Sequence, residues 1–88
     1  MKERDSVLEF PCDFPIKVMG RSDSGFEVTA LAIVRSHVPD FDAANMRSAV
    51  SRKGNYSSVT FDLRATSREQ LDGLYRALTA CEELLMVL

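Results

Sequence analysis

Residues 20–26, which read Gly-Arg-Ser-Asp-Ser-Gly-Phe, have the residue types of an anion-binding turn. They join a predicted strand to a predicted helix, where free backbone N–H groups and the positive end of the helix dipole attract a carboxylate. We therefore expect a ligand-binding site made of Gly20, Arg21, Ser22, Asp23 and Gly25. The alternative is an ordinary helix start, in which Asp23 or Ser22 caps the helix and the glycines only add flexibility.

A second candidate site lies at a predicted hairpin. Two cations and an aromatic ring flank a Gly-Asn pair, and both of these turn residues tolerate the positive φ of a tight hairpin. Such a group on an exposed hairpin favours binding to a partner. We expect the partner-binding residues to be Arg52, Lys53, Asn55 and Tyr56. The alternative is a turn fixed by Gly54 and Asn55, with Tyr56 packed over it.

The remaining reactive residue types do not form a pattern typical of catalysis or metal binding. The chain contains one histidine, His37, and two cysteines, Cys12 and Cys81, with no CxxC pair and no His or Cys neighbours at zinc-ligand spacing. A general base and a nucleophile must meet in a pocket, and these three residues fall on three predicted elements. We predict no catalytic residue, no metal site and no cofactor.

The composition is that of one small globular domain. In 88 residues, 45% are hydrophobic and 27% charged, which argues against disorder. The formal net charge of −2 lacks the broad positive field of most nucleic-acid binders and anionic-membrane binders. The charged first residues precede no apolar stretch, so we expect a cytoplasmic protein with a flexible lead-in at residues 1–7 and a single domain at residues 8–88.

The elements that position both sites can be predicted from periodicity. Alternating apolar residues predict a strand at about 14–19, and Gly20 ends it. A helix at about 24–36 would place one stripe against the sheet: Phe26, Ala30, Ile33, Val34 and His37. After Pro39, a loop leads to a strand at about 46–52, and the hairpin follows.

The second half repeats the strand and helix pattern. Residues 56–65 predict a strand whose apolar face is Val59, Phe61, Leu63 and Ala65. Thr66 and Ser67, followed by Glu69 and Gln70, give two overlapping capping-box registers for a helix at about 68–79. A final strand at 83–88 is apolar on both faces, so we expect a partner or self-association to cover it. The order βαββαβ predicts an α+β, ferredoxin-like split βαβ fold with a four-stranded antiparallel sheet and both helices on one face.

Several short motifs lie at characteristic places along the chain: Leu8-Glu9-Phe10-Pro11, Phe14-Pro15, Lys17-Val18-Met19-Gly20, Lys53-Gly54-Asn55-Tyr56 with Ser58-Val59, and Met86-Val87-Leu88. As a set over about residues 8–88, they resemble the YbeD-like family of small bacterial proteins, and the chain is identified as a member of it. The resemblance implies a ferredoxin-like fold akin to ACT-type regulatory domains, and residues 20–26 resemble the strand-to-helix loop of those domains. It also implies a link with lipoate metabolism, since members are often encoded beside the lipoyl transferase. The family brings no catalytic residues.

These observations predict a non-enzymatic regulatory or protein-interaction module. Its partners would be another protein or a second copy, bound through the sheet face or an edge strand, and a small anionic metabolite at residues 20–26. The alternatives are a small enzyme of unknown reaction and a weak RNA binder. RNA-binding sheets of this topology stack bases on aromatics of two central strands, whereas Tyr56 has only Ser58 and Thr60 beside it on its strand. We expect no nucleic-acid partner and no membrane partner.

Overall fold

The computed structural model describes residues 9–88, so the predicted lead-in at 1–7 and the residue Leu8 lie outside the described residues. The elements run β1 (Cys12–Arg21), α1 (Phe26–His37), a short 3₁₀ helix (Ala43–Asn45), β2 (Met46–Val50), β3 (Tyr56–Ala65), α2 (Arg68–Thr79) and β4 (Met86–Val87). Four antiparallel strands form one sheet in the order β2-β3-β1-β4. This is the ferredoxin-like split βαβ fold, as the sequence predicted.

Both helices pack on one face of the sheet. Successive side chains of a strand point to opposite faces, so alternate residues of each strand face the helices. From β1 and β3 that face receives fully buried residues such as Ile16, Val18, Val59 and Phe61. The helices contribute a second buried layer of residues: Phe26, Ala30 and Val34 from α1, and Leu71, Leu74 and Leu78 from α2. The predicted stripe of α1 is thus confirmed at Phe26, Ala30 and Val34, while Ile33 and His37 are only half-buried.

The start of α1 differs from the prediction. The helix begins at Phe26 rather than near Ser24, and the residue before it, Gly25, has φ 73° in the left-handed region. No side chain caps this helix, so the expected cap by Asp23 or Ser22 is wrong. The Ser22 hydroxyl lies 2.7 Å from the Ser57 hydroxyl instead. A left-handed residue at this position suits glycine, since it has no Cβ to clash.

The hairpin between β2 and β3 is wider than predicted, because β2 ends two residues before the predicted limit at about residue 52. β2 ends at Val50, and five residues, 51–55, connect it to β3. The amide of Gly54 donates to the carbonyl of Ser51 at 2.9 Å, and Gly54 takes a φ of 79°. Among the described residues no non-glycine has positive φ, so the positive φ expected of Asn55 is wrong. Gly54 therefore makes the turn without help from Asn55.

The start of α2 selects one of the two predicted capping registers. Ser67 Oγ accepts the amide of Gln70 at 3.0 Å, and Gln70 Oε1 accepts the amide of Thr66 at 2.8 Å. Ser67 is therefore the N-cap residue, and Gln70 satisfies a second free donor just outside the helix. Gln70 Nε2 also donates to the carbonyl of His37 at 3.0 Å, which joins the two helices.

The final strand is shorter than predicted. Only Met86 and Val87 form β4, which pairs with Val18 and Met19 at an edge of the sheet. Leu84 is buried, whereas Leu85 and Leu88 are more than half exposed. The expected two-faced apolar segment is thus partly exposed. Within residues 9–88, no helix is long and apolar enough to cross a membrane.

Candidate functional site

The two sites predicted from the sequence meet at one end of the sheet. Arg21, the last residue of β1, lies opposite Tyr56, the first residue of β3. The amide of Ser22 donates to the carbonyl of Asn55 at 2.9 Å. Because of these contacts, residues 21–25 and 51–56 form one continuous surface, which carries Arg52 and Lys53 at its outer side.

Gly20 belongs to the framework of this surface and is buried in β1. A Cβ built at this position would lie 2.7 Å from Cγ and Cδ2 of Phe26 and 2.9 Å from the carbonyl oxygen of Glu83. Glycine is therefore required for Phe26 to pack against β1. This packing explains the residue type at position 20 without a ligand.

The turn before α1 has already used part of its hydrogen-bonding capacity. The amide of Ser24 donates to the carbonyl of Arg21 at 3.1 Å, and so does the Ser24 hydroxyl at 2.8 Å. Asp23 lies 3.5 Å from Arg21, and Glu27 stands in the first turn of the helix. These two carboxylates complement the positive helix end and would repel a carboxylate ligand. Anion binding at residues 20–25 stays a prediction, and this charge arrangement weakens it.

The sheet surface opposite the helices, which we call the open face, has an apolar centre. One row across all four strands consists of Ala49, Ser58, Met19 and Met86, and we call its three apolar members, Ala49, Met19 and Met86, the apolar row. Tyr56 and Leu88 flank it, with 44% and 59% of their surface exposed. A shallow cavity of about 170 Å³ lies over the row, and its wall includes Met19, Ala49, Tyr56 and Ser58. Tyr56 thus stands over the open face at the hairpin end.

Most cations of the open face are paired. Arg47 makes two 3.0 Å hydrogen bonds to Asp62, which raise the pKa of Arg47, and Arg64 donates to Asp13 at 3.0 Å. Within the part of the chain that the structure describes, neither Arg52 nor Lys53 forms an ion pair. Lys17 on β1 is exposed and also forms no ion pair among the described residues, so two of these three unpaired cations lie on the hairpin.

His37 lies at the end of α1, as its sequence position suggested. Its Nδ1 is 3.1 Å from the carbonyl of Ile33 and 3.1 Å from the Ser36 hydroxyl. The Ser36 hydroxyl itself donates to the carbonyl of Ile33 at 2.8 Å, so the three groups close the last turn of α1. Cys12 and Cys81 are free and half-buried. No group of three or more metal-ligating side chains comes together within residues 9–88.

A cavity that the sequence did not predict lies at the opposite end of the molecule. It has a volume of about 190 Å³, and Val38 and Phe41 form part of its wall beside Asp40, Arg64 and Gln70. The sequence predicted an ordinary loop over residues 40–45. The one available signal in the sequence was Phe41, an aromatic residue within a polar stretch. Its ring packs edge-on against the ring of Phe61, with 5.6 Å between the two ring centroids.

Comparison with known proteins identifies the family. Residues 5–88 match the family described as "Protein of unknown function (DUF493)". The chain belongs to this family. The DUF493 match covers nearly the whole sequence and confirms the YbeD-like assignment made from the motifs.

Relatives of the DUF493 chain share its size as well as its sequence. A UPF0250 protein of Nitrosomonas europaea is 51% identical over 74 residues, which is 84% of this chain and 85% of that protein. A UPF0250 protein of Neisseria meningitidis serogroup A is 45% identical over 87 residues, covering 99% and 96% of the two chains. The solution structure of protein HP0495 from H. pylori superimposes with a TM-score of 0.70 over 92% of this chain and 85% of that chain, at 8% identity. This structural similarity supports the fold alone.

Proposed function

We propose that this protein is a non-enzymatic interaction module that binds a partner protein through the open face. The apolar row carries the proposal. Ala49, Met19 and Met86 align on three strands of the face that the helices leave uncovered, where they add nothing to the packing between sheet and helices. Exposed apolar surface with a polar rim is typical of protein-binding sites. Tyr56, beside the row, is of the residue type enriched at binding hot spots.

The alternative classes fit the described residues less well. An enzyme needs titratable groups that converge in a pocket, whereas the described hydrogen bonds of the His37 ring stay within its own helix, with Ile33 and Ser36. An RNA-binding sheet needs aromatics on two strands and unpaired cations. On the described open face Tyr56 is the one aromatic side chain, so the requirement for rings on two strands is not met, even though Lys17, Arg52 and Lys53 form no ion pair among residues 9–88. These arrangements favour a protein as the partner.

The lipoate link implied by the family resemblance names the partners to test first. Proteins that carry or transfer lipoyl groups are the first candidates, and the open face would regulate them by binding. Sensing of a small anionic metabolite at residues 20–25 stays a separate prediction, tested by titration with small carboxylates and observation of the Gly25 amide.

The experiment compares two Ala→Glu variants of the full chain in affinity capture from the native host. Ala49→Glu places a charge in the centre of the apolar row, whereas Ala32→Glu places the same charge on the exposed side of α1. Both sites are exposed, so both variants should fold. We expect Ala49→Glu to reduce the captured partner by at least about tenfold, because a buried unpaired charge costs more than 1.4 kcal/mol. Equal capture by Ala49→Glu and the unmodified chain would show that the partner does not bind the open face.

A further inference from the structure

The outer edge of β2 has main-chain groups that the sheet does not use. The amide of Ser51 donates to the carbonyl of Tyr56, so residues 51 and 56 form a hydrogen-bonded pair. Hydrogen-bonded pairs alternate along an antiparallel ladder, which makes Ala49/Ser58 and Arg47/Thr60 the next such pairs. The N–H and C=O groups of the intervening residues Ser48 and Val50 therefore point away from β3, toward the edge.

This edge lacks the features that usually protect an edge strand. β2 contains no proline, and its single charged residue, Arg47, is held on the open face by Asp62. Val50 is 64% exposed. The opposite edge strand, β4, has only two residues. Of the two edges, β2 is therefore the better template for an incoming strand.

The charge next to this edge indicates which strand would bind. Arg52 and Lys53 follow β2 after one intervening residue, Ser51, and have no ion-pair partner among residues 9–88. They lie beyond the end of the strand, so they flank an incoming segment and do not block it. An antiparallel segment paired with Ser48 and Val50 would bring the residues before its own strand next to these two cations.

We propose that the edge of β2 binds an extended segment of the partner protein as a fifth, antiparallel strand, and that acidic residues preceding this segment pair with Arg52 and Lys53. Main-chain hydrogen bonds supply the affinity in this binding mode, and flanking charges supply selectivity. The inference rests on the proposed function, since it specifies the partner segment and how it is held.

The first test measures hydrogen exchange of backbone amides by NMR on the full chain. The probe is a synthetic peptide with several aspartates before a run of alternating valine and threonine. We expect the amides of Ser48 and Val50 to exchange at least about tenfold more slowly with this peptide, whereas those of Arg47 and Ala49, already bonded to β3, change little. A peptide with lysines in place of the aspartates, and one with the aspartates after the strand, should both protect less.

Three results would overturn the proposal. They are unchanged exchange at Ser48 and Val50, equal protection by the aspartate and lysine peptides, and protection that grows with protein concentration without peptide. The last result would show that a second copy pairs along β2.

The second test removes the outward hydrogen bond. Ser48→Pro deletes an N–H that β3 does not use, and proline is tolerated on an edge strand in that orientation; Ser48→Ala is the matched control. We expect loss of peptide protection in Ser48→Pro alone. N-methylation of alternate peptide residues removes the N–H donors of the peptide that would bond to β2. This variant of the peptide tests the proposal even if Ser48→Pro folds poorly. If Ala49→Glu abolishes partner capture but Ser48→Pro and peptide N-methylation change nothing, the strand-addition proposal fails while the proposed function stands.

Discussion

Replacing Gly20 by alanine tests how closely α1 packs on β1. The new Cβ would lie 2.7 Å from two ring carbons of Phe26 and 2.9 Å from a backbone oxygen at residue 83, against an ordinary contact of about 3.5 to 4.0 Å. The ring is fully buried, so it cannot turn away into solvent. Overpacking of this kind costs about 1 to 3 kcal/mol, and loss of glycine flexibility in the unfolded chain returns about 0.4 to 1. Because the new Cβ would meet a backbone oxygen as well as the buried ring, the upper part of the first range applies, and we expect a net destabilisation of about 1 to 2 kcal/mol.

Urea unfolding followed by circular dichroism measures the effect. With a slope near 1 kcal/mol per molar urea for so small a domain, the midpoint should fall by about 1 to 2 M. Gly73→Ala is the matched control, because a Cβ there meets only His37 at 3.5 Å and the residue lies inside α2. That variant should gain about 0.5 to 1 kcal/mol from helix propensity. A Gly20→Ala midpoint equal to or above that of the unmodified chain would refute the packing argument.

Three further predictions concern turns, caps and pH. Gly54→Val should lower the free energy of unfolding by about 1 to 3 kcal/mol, since the φ of 79° is strained for a β-branched residue, whereas Gly54→Asn should cost less; equal urea midpoints would contradict this. Ser67→Ala should cost about 0.5 to 2 kcal/mol through the lost cap, with Thr66→Ala near neutral, because only the backbone of Thr66 is bonded to Gln70. Burial raises the pKa of Tyr75, so its contribution to stability is complete below about pH 10 and is lost as the pH rises through the folded-state value. Tyr75→Phe should flatten that alkaline decline in thermal unfolding, and an unchanged decline would remove Tyr75 as its cause.

The fold could be predicted from the sequence because its periodic signals agree with the final packing. β3 and α2 have the predicted bounds, since the alternation from Val59 to Ala65 and the cap at Ser67 are both local signals. The limits of α1 were harder to predict. Asp23 and Ser22 are good capping residues in isolation. However, Ser22 is hydrogen-bonded to Ser57, 35 positions away, and Gly25 is the N-cap residue instead.

The candidate site could be predicted only in part. The sequence identified residues 20–25 and 52–56 separately, and their meeting at one end of the sheet follows from the pairing of Arg21 with Tyr56. It did not identify the apolar row, because Ala49, Met19 and Met86 lie on three strands and align only through the register. The pairing of Arg47 with Asp62 likewise depends on neighbouring strands.

Photo-crosslinking in the native host is the most direct measurement of whether a partner protein binds the open face. A photoreactive phenylalanine derivative placed at Ala49 probes the apolar row, and the same group at Ala32 probes the exposed side of α1. If the partner binds the open face, position 49 should give one discrete crosslinked partner protein and position 32 should give none. Crosslinking from position 32 alone, or equal crosslinking from both positions, would contradict partner binding through the open face.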